Sequence, residues 1–254
     1  MEQNNHTKPL LIYIFTLLIL AVVSILSYYS SVSPHRKKIH YQGFGITMPG
    51  NYAIHGIDVS HYQSAINWQD VKQMQFNHIK IGFALLKATE NADKVDINFI
   101  NNWYEAKQMD IPVGAYHFFV AGISGKAQAQ NYLSIVSLES NDLPPVLDVE
   151  DAGGIASKDF IPEMQYWLDT VEKTYGVKPV IYTNSDFYKS YLQGKFDNYP
   201  LWIANYNNDS IPDIDRGWII WQHSQTGHVN SIDGYVDFNV FNGDSAAFKN
   251  FLLK

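Results

Sequence analysis

The stretch Val146-Leu147-Asp148-Val149-Glu150 decides how this chain of 254 residues is interpreted. Alternate side chains of a strand point to the same face, so both acids face one side. Pro144-Pro145 precede the stretch and Gly153-Gly154 follow it, which predicts a short apolar strand that ends in its acids and opens into a loop. Acids at the carboxyl end of a strand lie where α/β barrels carry out their chemistry.

The spacing of the two acids has a chemical consequence. It places Asp148 and Glu150 roughly 6 to 7 Å apart at the backbone, so that charge on one raises the pKa of the other. One carboxyl then acts as an acid while its neighbour stays ionised, as in glycosidases. The alternative for an isolated Asp-x-Glu is a strand end with two solvated acids, and the surrounding sequence has to decide between them.

Apolar runs alternate with helix-like segments on both sides of this stretch. We predict strands over Ile54–Val59, Ile79–Lys87, Val113–Phe118, Val146–Glu150, Val180–Tyr182, Leu201–Tyr206, Trp218–His223 and Val236–Phe241. Helices are predicted near Trp68–Phe76, Asn98–Met109, Gly125–Leu138 and Asp159–Tyr175. This βαβ rhythm predicts a parallel sheet. The connections between the last strands are too short for crossover helices, so we expect a barrel whose last third lacks its helices.

Acidic and aromatic side chains recur at the predicted strand ends. Asp58 lies on the first strand and Asp237 begins the last, and these strands are neighbours in a closed barrel, so their acids are expected to meet Asp148 and Glu150 at one rim. Flat rings suit the apolar faces of sugars, although each ring alone also fits a core position. The rings near these ends are Tyr62, Tyr116, Phe118, Tyr182, Trp202, Tyr206 and Trp221.

Composition excludes several classes of protein and site. With 46% hydrophobic and 15% aromatic residues, the chain is expected to form one large globular domain. A net charge of −7 argues against a nucleic-acid partner. The chain has no cysteine, and the spacings of His61, His117 and His223 match no recognised zinc pattern, so we predict neither a metal nor a cofactor.

The N-terminal region predicts a membrane segment. Leu10 to Tyr29 are 20 uncharged, mostly apolar residues, which as a helix span about 30 Å. We predict an uncleaved anchor rather than a signal peptide, because the run is long, Lys8 alone precedes it among basic residues, and no Ala-x-Ala site follows. The domain organisation predicted is a short segment over 1–9, the transmembrane helix over 10–29, a linker over 30–52 and a catalytic domain over 53–254.

Seven motifs in order resemble the glycoside hydrolase family 25 lysozymes, and they cover the chain from about Ile54 to its C-terminus. They are Gly56-Ile57-Asp58-Val59-Ser60, Lys87-Ala88-Thr89-Glu90, Gly114-Ala115-Tyr116-His117-Phe118, Leu147-Asp148-Val149-Glu150, Trp202-Ile203-Ala204-Asn205-Tyr206, Trp221-Gln222 and Val236-Asp237-Phe238-Asn239. The resemblance implies a modified TIM-type (β/α)5(β)3 barrel. It also implies retaining N-acetylmuramidase activity, which cleaves the β-1,4 bond between N-acetylmuramic acid and N-acetylglucosamine in peptidoglycan.

The resemblance also implies roles for individual residues. Glu150 matches the general acid/base, and Asp148 matches a partner carboxylate that attacks the anomeric carbon or stabilises the acetamido group of the substrate. Asp58 and Asp237 match acids that position the substrate and stabilise the oxocarbenium-like state. The rings near the strand ends, together with Glu90 and Asn239 of the motifs, are expected to bind substrate.

The partners and location follow from these expectations. Peptidoglycan strands and, through the N-terminal helix, a membrane are the expected partners of a monomer. Arg36, Lys37 and Lys38 follow the apolar run and would keep the domain cytoplasmic. Because peptidoglycan lies outside the cytoplasmic membrane, we predict a single-pass anchor with the catalytic domain outside, or secretion after cleavage. Two alternatives stay open, a non-catalytic protein that binds wall glycans and a glycosidase for another N-acetylated polymer such as chitin.

Overall fold

The computed structural model describes residues 14–24, 38–206 and 211–254. The chain divides into two compact units, Met1–Lys38 with Pro49–Asn51 and Ile39–Met48 with Tyr52–Lys254. Every element of the site described below belongs to the second unit.

The predicted transmembrane helix over 10–29 is wrong. Residues 14–24 form helix α1. Throughout the described part of the chain, no helix combines the length and the apolar character that a membrane span requires. The single-pass anchor, the membrane as a partner and the membrane-anchored location were predicted from this helix. These three predictions are therefore corrected as well. Residues 10–13 and 25–29 of the predicted span lie outside the described residues.

Part of the segment predicted as a linker over 30–52 forms a hairpin. Strands β1 (Lys38–Tyr41) and β2 (Ile46–Pro49) pair as a two-stranded sheet. Tyr41, Phe44 and the apolar residues of β2 are buried, and the Phe44 ring packs edge-on at 5.4 Å from the ring of Phe238. The segment was predicted as a linker because of its polar and glycine residues, although it also contains a short apolar alternation. Residues 30–37 lie outside the described residues.

The described residues form a closed barrel of eight strands. Its strands are β3 (His55–Val59), β5 (Ile79–Glu90), β7 (Val113–Phe118), β8 (Val146–Asp148), β9 (Val180–Asn184), β10 (Leu201–Ala204), β11 (Ile220–Gly227) and β12 (Val236–Phe241), with the short strands β4 (Gln75–Phe76) and β6 (Lys94–Val95) paired to β5. From β3 through β5 to β11 the pairs are parallel. Strand β12 is antiparallel to both β11 and β3 and so closes the barrel.

Helices connect the early strands and are shorter towards the end of the chain. They are α2 (Trp68–Gln73), α3 (Phe99–Gln108), α4 (Gly125–Ile135), α5 (Ser157–Tyr175), the short α6 (Ser185–Phe187) with the π turn Tyr188–Leu192, and α7 (Ser245–Phe251). The Asn67 side chain caps α2 by accepting from two backbone N–H groups. Helix α5 is capped at its C-terminus by Gly176, which adopts a left-handed conformation with φ 71° that suits glycine.

Alternation along the strands separates two apolar clusters. Inside the barrel, Phe83, Leu85, Tyr182 and Trp202 belong to one cluster, and the outward-facing residues pack with the helices in the other. Gly56 on β3 makes room for the inner cluster, since a Cβ there would lie 2.5 Å from the Phe83 ring. Above this apolar filling, at the carboxyl ends of the parallel strands, the inner face becomes polar.

Candidate active site

The four predicted acids meet at this polar end. Asp58 lies on β3 and Asp148 ends β8, with Glu150 just beyond the strand. Asp237, on antiparallel β12, is in register with Asp58. All four line one cleft of about 210 Å³. The closure of the barrel, which pairs the first strand with the last, therefore brings acids from distant parts of the sequence together.

Asp58 is a buried, hydrogen-bonded acid. Its side-chain oxygen Oδ2 accepts from Gln222 Nε2 at 2.8 Å and from Asn239 Nδ2 at 2.7 Å. Trp202 Nε1 in turn donates to Asn239 Oδ1 at 2.8 Å, which fixes the orientation of that amide. Burial raises the pKa of Asp58 well above its ordinary value, and the charge of Asp237 adds to this effect.

Asp237 is coupled to Asp58. Burial raises the pKa of Asp237 to about 6, while its hydrogen bond with Asp58 opposes the rise and the charge of Glu150 adds to it. Two carboxyls in hydrogen-bond contact share a proton, because both cannot be ionised at low energetic cost. The pair therefore holds a proton to higher pH than two separate carboxyls would.

Asp148 is the most enclosed partner of Glu150. It is 4% exposed, and its Oδ1 atom has no hydrogen-bond partner among the described residues. Burial raises the pKa of Asp148 well above its ordinary value; the charge of Glu150 adds to the rise and that of Lys87 opposes it. A buried acceptor without a donor is costly, so a donor on a bound ligand would be favourable here.

Glu150 is partly exposed at the mouth of the cleft. Burial raises its pKa above the ordinary value, while a hydrogen bond from Tyr182 and the charge of Lys87 oppose the rise. The Tyr182 hydroxyl lies 3.4 Å from Glu150 Oε2. A carboxyl that holds its proton to higher pH and still reaches solvent is suited to donate that proton to a ligand.

Gln222 connects the two sides of the cleft, and our sequence analysis did not assign it to the site. Its Oε1 accepts from the hydroxyls of Tyr182 at 2.8 Å and Tyr206 at 2.6 Å, while its Nε2 donates to Asp58. The sequence did contain a signal for Gln222, which follows Trp221 in a family motif. Alternation turns neighbouring residues of a strand to opposite faces, so only one of these two can face the barrel interior.

Five of the predicted aromatic residues line the cleft. They are Tyr62, Tyr116, Phe118, Tyr182 and Trp202. Tyr62 is 80% exposed at the rim and packs on the ring of His61 at 4.2 Å. Trp202 is buried beneath Tyr182, with their ring centroids 4.3 Å apart. The rim ring is therefore available to a ligand, whereas the deeper rings shape the floor.

The other predicted binding residues lie elsewhere. Tyr206 and Glu150 line a neighbouring hollow of about 750 Å³. Asn239 is buried behind Asp58. Trp221 lies on the outer face of β11 and donates from Nε1 to the Asn205 carbonyl at 2.8 Å. Glu90 does not line the cleft and binds two lysines instead.

Several cleft residues were not predicted as site residues. Besides Gln222, they are Val59, Ser60, Gln63 and Lys87. Ser60 and Gln63 form a reciprocal cap of the short 3₁₀ turn His61–Gln63, and this cap positions Tyr62. The motif beginning at Lys87 identified this segment, but only the folded strand shows that Lys87, rather than Glu90, faces the cleft.

The three histidines considered as metal ligands have separate surroundings. His61 Nδ1 lies 3.0 Å from Asp96 Oδ2, and His117 lies between Thr89 and Gln128 at 2.7 and 3.2 Å. His223 is buried on β11. Within the ranges that the structure describes, no three His, Cys, Asp or Glu side chains form a group able to hold a metal ion.

A parallel barrel with a cluster of carboxyls at the carboxyl ends of its strands defines a class of barrel glycosidases. The family model of glycosyl hydrolases family 25 matches residues 57–232. The chain belongs to this family, and the predicted resemblance is confirmed. It is a glycoside hydrolase of the lysozyme, or muramidase, class, whose reaction is peptidoglycan hydrolysis.

Individual relatives agree with this assignment. The chain is 41% identical over 222 residues to protein YegX of Escherichia coli (strain K12), covering 85% of this chain and 82% of YegX. It is 34% identical over 209 residues to lysozyme M1 of Streptomyces globisporus, covering 76% and 69% of the two chains. The solved structure of a family 25 glycosyl hydrolase from Bacillus anthracis is similar with a TM-score of 0.73 and 31% identity, covering 79% of this chain and 94% of that one.

Proposed function

We propose that this enzyme cleaves the β-1,4 bond between N-acetylmuramic acid and N-acetylglucosamine with retention of configuration. In this proposal Glu150 is the general acid/base and Asp148 is its partner carboxylate. The observation that carries the proposal is the pairing of a buried carboxyl with a partly exposed one, in a cleft that also contains Asp58 and Asp237.

Glu150 has the properties that an acid and then a base requires. Its raised pKa favours the protonated form, which donates to the departing sugar oxygen as the glycosidic bond breaks. The resulting carboxylate then removes a proton from the attacking water. We propose retention because the resemblance to the family 25 lysozymes implies it.

The surroundings of Asp148 favour one of its two candidate roles. An acetamido N–H of the substrate is a donor that the unpartnered Oδ1 of Asp148 lacks. In this route Asp148 orients the acetamido group, whose carbonyl oxygen bonds to the anomeric carbon as the leaving group departs. Water then opens the resulting ring on the same face from which the leaving group departed. Direct attack by Asp148 is the competing route.

Asp58 and Asp237 support this chemistry from the opposite side. Because both acids line the cleft in register with each other, the pair is placed to stabilise positive charge that develops on the sugar ring. Gln222 and Asn239 hold Asp58 in position. We propose a binding and electrostatic role for the pair rather than direct proton transfer to the leaving group.

The primary test is digestion of purified peptidoglycan by wild-type protein and by Glu150→Gln, with mass spectrometry of the products. We expect new muramic-acid reducing ends from the wild type and a loss of about 10³-fold or more in the variant, because the leaving group is no longer protonated. Glu105→Gln on α3, outside the cleft, is the matched control and should retain activity. A folded wild type that binds peptidoglycan without releasing reducing ends would contradict the proposal.

A second experiment separates the two roles of Asp148. A thiazoline analogue of the cyclised acetamido intermediate should inhibit strongly if the substrate's own acetamido group attacks. A 2-fluoro sugar with a good leaving group has no acetamido group, and it should label Asp148 only if this carboxylate attacks directly. Labelling of Asp148, found by peptide mass spectrometry, would rule out the acetamido route.

A further inference from the structure

Four tyrosines of the described residues are more than half exposed: Tyr62, Tyr104, Tyr166 and Tyr235. Two of them have a histidine ring beside their own. The ring centroids of Tyr62 and His61 lie 4.2 Å apart, and those of Tyr235 and His228 lie 5.2 Å apart. The other two exposed tyrosines have no such ring contact among the described residues. Tyr62 and Tyr235 are therefore exposed rings that are supported from one side.

The support of Tyr62 is fixed by hydrogen bonds. The backbone N–H of His61 donates to Asp96 Oδ2 at 2.8 Å, and His61 Nδ1 lies 3.0 Å from the same oxygen. Ser60 and Gln63 cap the 3₁₀ turn that contains both rings. The Tyr62 ring is thus held at the rim of the cleft while 80% of the residue stays exposed.

The support of Tyr235 comes from the N-terminal hairpin. The backbone N–H of His228 donates to the carbonyl of Phe44 at 2.9 Å. Gly45 leaves room for the His228 ring, since a Cβ at Gly45 would lie 3.0 Å from His228 Cδ2. The turn between β1 and β2 therefore holds the histidine on which the Tyr235 ring packs, and 60% of Tyr235 remains exposed.

Gln63 connects the two tyrosines to the cleft. Its side chain lines the cleft, and its Nε2 donates to the carbonyl of Tyr235 at 3.0 Å. Tyr62 lines the cleft as well, and so does Asp237, two residues after Tyr235. The surface formed by Tyr62 and Tyr235, which we call the rim platform, therefore continues from the cleft on the side of β3 and β12.

We propose that the rim platform is a second sugar-binding surface, which stacks on sugar rings of a peptidoglycan strand that extend beyond the cleft. The inference rests on the proposed function, because it takes the strand cut at Glu150 as the occupant. It adds a preference for long strands over short oligomers.

The chemistry of the platform fits this occupant. The cleft has a volume of about 210 Å³, whereas the substrate is a polymer, so its sugars must continue across the surface outside the cleft. Tyrosine rings present flat apolar faces with a polar hydroxyl at one end, which suits a sugar with apolar and hydroxylated faces. Rings that are already held in place lose less side-chain freedom when a ligand binds.

The first test compares long glycan strands, freed of their stem peptides by an amidase, with a tetrasaccharide of the same sugars. We expect Tyr235→Ala to raise KM for long strands by about 3- to 10-fold, because one stacking contact is lost. The change should appear in KM rather than kcat, since the ring lies away from the scissile bond. The rise should be smaller for the tetrasaccharide. An equal rise for both substrates, or none for long strands, would overturn the proposal.

Two further variants separate stacking from other effects. Tyr235→Phe keeps the ring and should have the wild-type KM for long strands, whereas a KM as high as that of Tyr235→Ala would contradict stacking. Tyr104→Ala on α3 is the matched control, because Tyr104 is 62% exposed and does not line the cleft. It should leave KM unchanged, and a rise equal to that of Tyr235→Ala would contradict a specific surface.

A second measurement does not depend on turnover. Isothermal calorimetry with long glycan strands compares Glu150→Gln with Glu150→Gln/Tyr235→Ala, and the double variant should bind about 3- to 10-fold more weakly. If wild type releases no muramic-acid reducing ends but binding still depends on Tyr235, the proposed function fails and the rim platform stands. Normal hydrolysis with equal affinities of the two variants would reject the platform alone.

His228→Leu covers the case in which Tyr235→Ala does not fold. This variant keeps Tyr235 but removes the flat ring beside it. In the Glu150→Gln background we expect it to bind long strands about twofold or more weakly, because the freed tyrosine must be ordered on binding. An affinity equal to that of Glu150→Gln would contradict the role of a supported ring.

Discussion

Among single residues, Gln222 connects three side chains of the site by hydrogen bonds. Its amide accepts from Tyr182 and Tyr206 and donates to Asp58. The Asp58 carboxylate accepts from the amide nitrogen, which leaves the amide oxygen to accept from the two hydroxyls. This side chain links the strand ends on both sides of the site.

We predict that Gln222→Leu lowers kcat/KM by about 10- to 100-fold and destabilises the fold by about 1–3 kcal/mol. The reason is that the Tyr182 and Tyr206 hydroxyls lose an acceptor and Asp58 loses a donor. Steady-state kinetics and urea unfolding measure the two effects. Gln108→Leu, at an exposed position of α3, is the control and should change neither quantity appreciably. Wild-type kinetics for Gln222→Leu would show that the network does not position Asp58.

At the scale of the strand, β3 depends on close packing against β5. Gly56 has no side chain where the Phe83 ring fills the barrel interior. A methyl group at this position would have to displace either the ring or the backbone of a strand that is paired on both sides. Close-packed interiors respond to such an added group with strain.

Gly56→Ala is therefore expected to destabilise the fold by about 1–3 kcal/mol, measured by urea unfolding. Gly217→Ala is the matched control, because a Cβ there meets nothing within 4 Å. It should be neutral or slightly stabilising, since alanine restricts the unfolded chain. Equal stability of the two variants would mean that the interior of the barrel accommodates the methyl group.

At the scale of the whole molecule, two sets of buried groups make stability depend on pH with opposite signs. Burial lowers the pKa of His55 and His117 to about 4 and that of His223 to about 3. The neutral forms are favoured in the fold, so the stability they contribute is present above the unfolded value of 6.5 and is lost as pH falls. Asp237, with its pKa raised to about 6, contributes stability at low pH that is lost as pH rises from about 4 to 6.

His223→Phe tests the contribution of one of these buried histidines. Both ring nitrogens of His223 are buried without a hydrogen-bond partner among the described residues, and Trp221 and Phe238 flank the ring. We expect the variant to retain about 2–3 kcal/mol more stability than wild type on going from pH 7 to pH 4.5. Urea unfolding at the two pH values tests this, with exposed His40→Phe as the control. An identical loss in wild type and His223→Phe would contradict the prediction.

The sequence determined the family and the order of the barrel strands. The segments predicted for β7 and β12 have the bounds observed, because both are apolar alternations bounded by turn residues. The four acids also meet as expected, since closure of any such barrel makes the first and last strands neighbours. Their assigned chemical roles remain predictions.

Only the tertiary structure decided which side chains face the cleft. Lys87 lines the cleft just before a register irregularity between Lys87 and Thr89, and Glu90 beyond it is joined to two lysines. Alternation on β11 turns Trp221 outward and Gln222 inward. The sequence shows the period of a strand but neither its bulges nor which face the closed barrel encloses. The apolar run near the N-terminus gave the wrong architecture, because hydrophobicity predicted a membrane span and no helix in the described ranges meets its requirements.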